Sequence, residues 1–340
     1  MNFEDIKTVQ KLLSQPQKIV IVPHKNPDGD AIGSTLGLCH FLNSLGQSAA
    51  VVAPNDFPKF LKWIPGSEGV INFEKQNIQA KEKLNEASLI FTLDFNHLGR
   101  AGQMEPLLKT LDVPFIMIDH HQSPEDYAAV MYSDVTMSST CEMVYNFIMS
   151  LDGGQAITAD IANCLYTGIM TDTGSFKYAS TTAKTHQIVA DLIEKGADNT
   201  KIHTQVFDTN APSRLHILGC ALKNMVILDA YATAYITLSQ EELNQYDYKK
   251  GDTEGIVNYG LTLEGINFAV IFIENKEEGI IKISFRSSGD FSVNEFARTY
   301  FEGGGHKNAA GGKSDFSMEE TITRFLDYVK ATRKPLVKNV

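Results

Sequence analysis

Residues 18–34 read Lys18-Ile-Val-Ile-Val-Pro23-His24-Lys-Asn-Pro-Asp28-Gly-Asp30-Ala-Ile-Gly33-Ser34, and this stretch decides the fold. The run Lys18 to Pro23 is apolar on both faces after its lysine, as strands of a covered parallel sheet are. From Asp30 to Leu45 the pattern is helical, and Gly46 stands where a C-cap is expected. Between the two lies a tight turn carrying one imidazole, His24, and two carboxylates, Asp28 and Asp30. Open α/β sheets bind ligands at such turns, outside the carboxyl ends of their strands.

Working outward, the same alternation recurs. Ala49 to Ala53, Ser88 to Leu93 and Val113 to Ile118 are further strand candidates. Helices are predicted over Ser139 to Leu151, Thr158 to Met170 and Thr182 to Lys195, the first with Ser138 or Ser139 near its cap and Glu142 at capping-box spacing. Gly196 ends the last of them. The fold class is α/β, with an N-terminal parallel-sheet domain over residues 1–196. Residues 197–229 are helical and polar, broken at Ala211-Pro212-Ser213, and are predicted to form a linker. Residues 230–340 make a smaller α/β domain: strands near Tyr231 to Leu238, Ile266 to Ile273 and Ile280 to Phe285, a helix near Val293 to Phe301, a glycine-rich loop, and a helix from Met318 to Thr332.

A chain of 340 residues fits two domains, and 43% hydrophobic with 21% charged residues is an ordinary globular balance. A net charge of -11 argues against coating long nucleic acid by phosphate neutralisation. The second domain, with thirteen basic and sixteen acidic residues over 231–340, is no basic clamp either. A short anionic substrate is compatible with both figures. Cys39, Cys141, Cys164 and Cys220 form no C-x-x-C pair, so they are expected to be reduced. The acidic N-terminus is unlike a signal peptide and no apolar run reaches membrane-spanning length, so a cytoplasmic protein without membrane contact is expected.

The chemistry concentrates at strand ends. Ser88 to Leu93 runs into Asp94, and Val113 to Ile118 runs into Asp119-His120-His121. An Asp after a strand ordinarily caps a turn, and for any one residue that account suffices; repetition at three strand ends does not fit it. Asp172 falls near the end of an apolar helix, where a carboxylate opposes the helix dipole and gains nothing locally. Imidazole and carboxylate ligands without cysteine suit Mn, Fe, Co or Zn.

His-x-x-x-Asp-x-Asp-Ala-x-Gly-Ser at 24–34, Asp94, Asp119-His120-His121 and Asp172 together resemble the four successive motifs of the DHH phosphoesterase superfamily. Phe285-Arg286-Ser287 with Gly303-Gly-Gly-His306-Lys-Asn-Ala-Ala-Gly-Gly312 resembles its associated C-terminal domain. Within the superfamily, length and domain pairing look most like bacterial oligoribonucleases that also act as 3′-phosphoadenosine 5′-phosphate phosphatases. The resemblance implies a cleft active site between the domains and two divalent metal ions. His24, Asp28 and Asp94 would hold one ion, and Asp30, Asp94, His120 and Asp172 the other, with Asp94 bridging. Manganese is the family's usual metal, with Mg2+, Co2+ and Zn2+ as alternatives. His121 would contact the phosphate and assist the leaving group, and Asp119 would orient a ligating imidazole.

In the C-terminal domain the resemblance implies that Arg286, Gly303, Gly304, Gly305 and His306 bind the substrate. Arg286 offers a planar fork for phosphate oxygens, and glycines let backbone amides approach an anion. Gly312-Lys313-Ser314 is no nucleotide-triphosphate loop, because Lys307 occupies the position of its required glycine. The expected activity is hydrolysis of short single-stranded RNA to mononucleotides together with the phosphatase reaction, without long-duplex binding. A cyclic- or linear-dinucleotide phosphodiesterase and a catalytically silent nucleotide-binding module are the alternatives, and a homodimer is left open.

Overall fold

The computed structural model describes residues 2–333, and the chain divides into two units between Thr209 and Asn210. The first contains α1 (Phe3–Leu13), β1 (Lys18–Val22), α2 (Gly29–Ser44), β2 (Ser48–Ala53), β3 (Ile71–Asn72), α3 (Asn77–Glu86), β4 (Leu89–Leu93), α4 (Glu105–Leu108), β5 (Phe115–Asp119), β6 (Val130–Ser133), α5 (Thr140–Ser150), α6 (Ala159–Asp172), α7 (Ala183–Glu194) and α8 (Asn199–His203). Its six strands are parallel, in the order β3-β2-β1-β4-β5-β6. Alternate strand residues enter two different cores: Ile19, Ile21 and Phe91 pack with residues of α2, α5 and α6, whereas Val20, Val22 and Ile90 pack with residues of α3 and the α4 region. Covering helices on both faces explain why these strands read as continuous apolar runs.

The chain builds outward from β1 through β2 to β3, then crosses back to β4 and continues to β6. The order therefore reverses between β1 and β4, and such a switch point leaves a crevice at the strands' carboxyl ends. Gly29, Gly33 and Gly37 recur every fourth residue of α2 and face α6. A Cβ on Gly33 would lie 2.5 Å from the Cys164 carbonyl oxygen, and one on Gly168 of α6 would lie 2.1 Å from Cys141 Sγ and 2.9 Å from Asp30 Oδ1. This close approach sets Asp30, in the first turn of α2, beside the carboxyl end of α6.

The second unit contains α9 (Pro212–Lys223), β7 (Val226–Leu228), β8 (Thr233–Leu238), α10 (Gln240–Gln245), β9 (Phe268–Asn275), β10 (Ile280–Ser287), α11 (Val293–Tyr300), β11 (Gly304–His306), β12 (Ala309–Ser314) and α12 (Met318–Thr332). Its sheet runs β11-β12-β10-β9-β8-β7, with β8 and β9 parallel and the other pairs antiparallel. Phe268, Phe272, Phe285, Phe296 and Phe325 form the core on one face, and Ile236, Ala269 and Ile271 pack with Ile217 and Ala221 of α9 on the other.

Two expectations are corrected. Residues 197–229 are not one linker: Ile202 of α8 is buried in the first unit's core, whereas α9 and β7 belong to the second unit. The glycine run is not a loop but the hairpin β11–β12, whose backbones approach so closely that a Cβ on Gly303 would lie 2.0 Å from the Gly311 carbonyl oxygen.

Candidate metal centre

The turns after β1, β4 and β5 bring His24, Asp94, His120 and His121 together around the switch point. Asp28 caps α2, its Oδ1 accepting from the Asp30 and Ala31 amides at 3.0 and 3.1 Å. Asp172 is the last residue of α6. His24 Nε2 lies 3.4 Å from Asp94 Oδ2 and 3.9 Å from Asp28 Oδ2. His120 Nε2 lies 3.5 Å from Asp94 Oδ1, 3.6 Å from Asp172 Oδ2 and 3.8 Å from Asp30 Oδ2. Asp94 thus turns one oxygen toward each imidazole. It adopts φ 64°, a left-handed conformation that Asp tolerates better than most residues.

Both imidazoles are oriented from behind. The Nδ1 of His24 lies 2.8 Å from the Lys25 carbonyl and that of His120 lies 3.2 Å from the Met137 carbonyl. With the proton on Nδ1, each ring presents its Nε2 lone pair to the carboxylates, the arrangement found where histidine ligates a metal. Bonds of about 2.0–2.2 Å to one ion place its donors roughly 3 to 4.4 Å apart. His24 meets that spacing to Asp28 and Asp94, and His120 meets it to Asp30 and Asp172, with the donor atoms of each set lying within 4.8 Å of one another. The donor sets fit divalent cations. Asp30, Asp94, His24 and His120 are buried, whereas the side chains of Asp28 and Asp172 are 50% and 28% exposed, so solvent reaches the centre there.

The electrostatics are those of anions crowded together. Burial, then the charges of Asp94 and Asp172, pushes the Asp30 carboxyl well above its ordinary range. Burial also pushes Asp94 upward, but hydrogen bonding with His120 and His24 outweighs it and holds that carboxyl well below. For His24 and His120 burial favours the neutral ring, yet the surrounding carboxylates prevail and raise both. Divalent cations would replace those protons as the balancing charge.

His121 differs from its neighbour. Its Nδ1 is 2.7 Å from Asp119 Oδ1, and its backbone amide donates to Asp119 Oδ2 at 3.1 Å. Burial drives the His121 ring well below its ordinary value and lifts Asp119 to about 6. A neutral ring then donates Nδ1–H to an ionised Asp119 at neutral pH. The imidazole that Asp119 orients is thus His121, whereas backbone carbonyls serve His24 and His120.

In the second unit, Arg286 is the penultimate residue of β10 and is half-buried, its Nη1 donating to the Phe285 carbonyl at 3.0 Å. His306 ends β11 opposite Ala309. The Gly303 amide donates to the Ala297 carbonyl at 3.2 Å and the Gly305 amide to Asn294 Oδ1 at 3.0 Å. Helix α11 therefore covers the sheet edge, and two amides expected to meet an anion already have acceptors.

Sequence reasoning missed the residues that brace the centre. Asn55 and Asn26 exchange hydrogen bonds of 2.7 Å, pinning the turn after β1 to that after β2. The Thr140 and Cys141 amides donate to the two oxygens of Asp30 at 2.6 and 2.8 Å, and Thr140 Oγ1 donates to Asp94 Oδ1 at 3.0 Å. The Ser138-Ser139-Thr140 run was the available signal, because it marks a helix N-terminus whose free amides seek an anion.

A doubly wound sheet with a carboxylate–imidazole centre at its switch point and a separate mixed-sheet unit defines a two-domain protein of the DHH type. The chain matches the DHH family, N-terminal domain, over residues 18–169 and the DHHA1 domain over residues 229–334. It is 30% identical over 334 residues to a bifunctional oligoribonuclease and PAP phosphatase NrnA of Thermus thermophilus, covering 96% of this chain and 94% of that one. The Bacillus subtilis protein of the same name is 26% identical, covering 94% and 95%. An exopolyphosphatase-related protein from Bacteroides fragilis has a crystal structure that superposes with TM-score 0.93 at 40% identity, covering 97% of this chain and 96% of that one. The chain belongs to the DHH family, among the members that carry a DHHA1 domain. Among the described residues no helix is long and apolar enough to cross a membrane.

Proposed function

We propose that this chain is a two-cation phosphoesterase that hydrolyses short oligoribonucleotides to mononucleotides and removes the 3′-phosphate of 3′-phosphoadenosine 5′-phosphate. The observation that carries the reading is the division of Asp94, with Oδ2 toward His24 and Oδ1 toward His120. His24, Asp28 and Asp94 would hold one cation and Asp30, Asp94, His120 and Asp172 the other. Manganese suits this mixture of imidazole and carboxylate, with magnesium, cobalt and zinc as alternatives. Bound there, divalent cations lower the pKa of a water and offset charge on the phosphoryl oxygens. Asp119 holds His121 in one tautomer, leaving Nε2 as the atom for the substrate's phosphate or leaving oxygen. Arg286 and His306 would take a further phosphate or the terminal nucleotide, with Gly303, Gly304 and Gly305 serving by their close backbone packing, which places His306, since the Gly303 and Gly305 amides already have acceptors. The relatives named for both activities, matched over nearly their whole lengths, support the choice of substrates.

Product formation with Mn2+ from a labelled RNA ladder of two to about twenty nucleotides tests the reading. 3′-Phosphoadenosine 5′-phosphate, cyclic dinucleotide, pyrophosphate and polyphosphate are run in parallel. Fast cleavage of the shortest RNAs with release of AMP from the bisphosphate is expected. Turnover of polyphosphate, pyrophosphate or cyclic dinucleotide alone would overturn the substrate assignment, and none at all would leave a binding module. Arg286→Ala is expected to raise KM for the bisphosphate roughly tenfold, the loss of one charge-assisted hydrogen bond, with a smaller change in kcat.

A further inference from the structure

One short segment touches three members of the centre. The Met137 carbonyl faces His120, the Thr140 and Cys141 amides hold Asp30, and the Thr140 hydroxyl holds Asp94 on the oxygen that faces His120. Ser139 caps α5 conventionally, accepting the Glu142 amide at 3.0 Å. Glu142 stands at capping-box spacing, but its side chain does not return to the cap. It is 3% exposed and turns inward, where its Oε2 accepts from the Ser138 hydroxyl and, at 3.0 Å, from the Thr185 hydroxyl.

Thr185 belongs to a different helix. It closes the capping box of α7, its hydroxyl accepting from the Thr182 amide at 3.1 Å. The chain reaches α7 through residues 173–182, which begin directly after Asp172. Glu142 therefore joins the segment that holds Asp30, Asp94 and His120 to the one that leaves Asp172. A buried carboxylate is costly, and an ordinary capping box would have kept this one near solvent. What the inward position supplies is a fixed anchor for both segments.

We propose that Glu142 is a positioning residue for one of the two cation clusters, Asp30 with His120 and Asp172, and not for His24 with Asp28. The proposal rests on the two-cation reading above. The division follows from the contacts: His24 is braced by the Lys25 carbonyl and Asp28 by the first amides of α2, and the shared Asp94 is touched by α5 only on the oxygen turned to His120, not on the one turned to His24. Partners that orient metal ligands typically contribute ten- to hundredfold in metal affinity.

The test is titration of the metal-free protein with Mn2+ by calorimetry, with free Mn2+ followed by paramagnetic resonance and folding checked by circular dichroism and thermal unfolding. The unsubstituted protein is expected to bind two ions. In Glu142→Gln and Thr185→Val one binding event weakens at least tenfold while the other moves less than twofold, and Thr185→Ser restores it. Asp28→Asn weakens the opposite event, which identifies the sites. A folded Glu142→Gln protein with both affinities unchanged, or both weakened equally, overturns the proposal. Should Glu142→Gln not fold, Thr185→Val decides by the same criterion, since it removes one of the two hydroxyls from outside the ligand segment. Failure of the unsubstituted protein to bind two ions would overturn the two-cation reading, and this inference with it.

Discussion

Asp94→Ala is expected to lower kcat/KM by at least about 1,000-fold on every substrate turned over, equivalent to roughly 4 kcal/mol of transition-state stabilisation. Asp28 and Asp172 each face one imidazole, whereas Asp94 faces both and accepts the Thr140 hydroxyl as well. Its removal takes a donor from both clusters at once. Asp28→Ala leaves the Asp30, His120 and Asp172 set whole, so it should retain one Mn2+ and lose less activity. The stability consequence runs the same way. Asp94 is 2% exposed and its charge is, after burial, the largest cause of the raised Asp30 carboxyl. Deleting it relieves repulsion between buried anions but also removes the acceptor that His24, His120 and the Thr140 hydroxyl share. Since those contacts hold the Asp94 carboxyl well below its ordinary range, their loss prevails and the metal-free variant should unfold at a lower temperature than the unsubstituted protein near neutral pH. Steady-state kinetics with thermal unfolding in chelator check both halves. Retention of more than a tenth of the turnover would sink the bridging role.

The strands and the side chains that gather at their carboxyl ends were legible because both depend on local pattern. A buried parallel strand has to be apolar throughout, and a polar residue directly after it stands at the carboxyl edge, so His24, Asp94 and His120 announced themselves. Asp119 was harder: β5 extends one residue further than its apolar run, which puts the carboxylate inside the strand and against its own neighbour His121. The partner of a buried carboxylate is a tertiary fact that spacing does not contain. The hairpin β11–β12 was misread for a similar reason. Glycine lowers strand propensity, yet here its missing side chain is what lets the backbones of Gly303 and Gly311 approach. The division at Thr209 was hidden because helical pattern continues on both sides of Ala211-Pro212; only burial of Ile202 in one core and Ile217 in another separates them.

The glycines of α2 were the signal passed over, and they carry the largest stability effect. Gly33→Ala is expected to destabilise the first unit by about 3 kcal/mol, the upper end for overpacking a filled core. For a unit of this size that lowers its melting temperature by roughly 6 to 12 °C. The added methyl would meet the Cys164 carbonyl oxygen at 2.5 Å and the Gly168 amide nitrogen at 3.2 Å, both backbone atoms of α6, so the helices themselves must separate. Gly37→Ala is the control: its methyl meets the end of the Leu165 side chain at 2.8 Å, which can rotate, and alanine's better helix propensity, worth about 1 kcal/mol, offsets the crowding. That substitution should be close to neutral. Thermal unfolding of the two variants distinguishes a backbone clash from a mere loss of glycine, and equal melting temperatures would refute the close-packing argument. The separation also has a chemical consequence. Asp30 rides on α2 and Asp172 on α6, so widening their spacing pulls apart two donors of one cluster, and any Gly33→Ala protein that folds should bind one Mn2+ more weakly than the other.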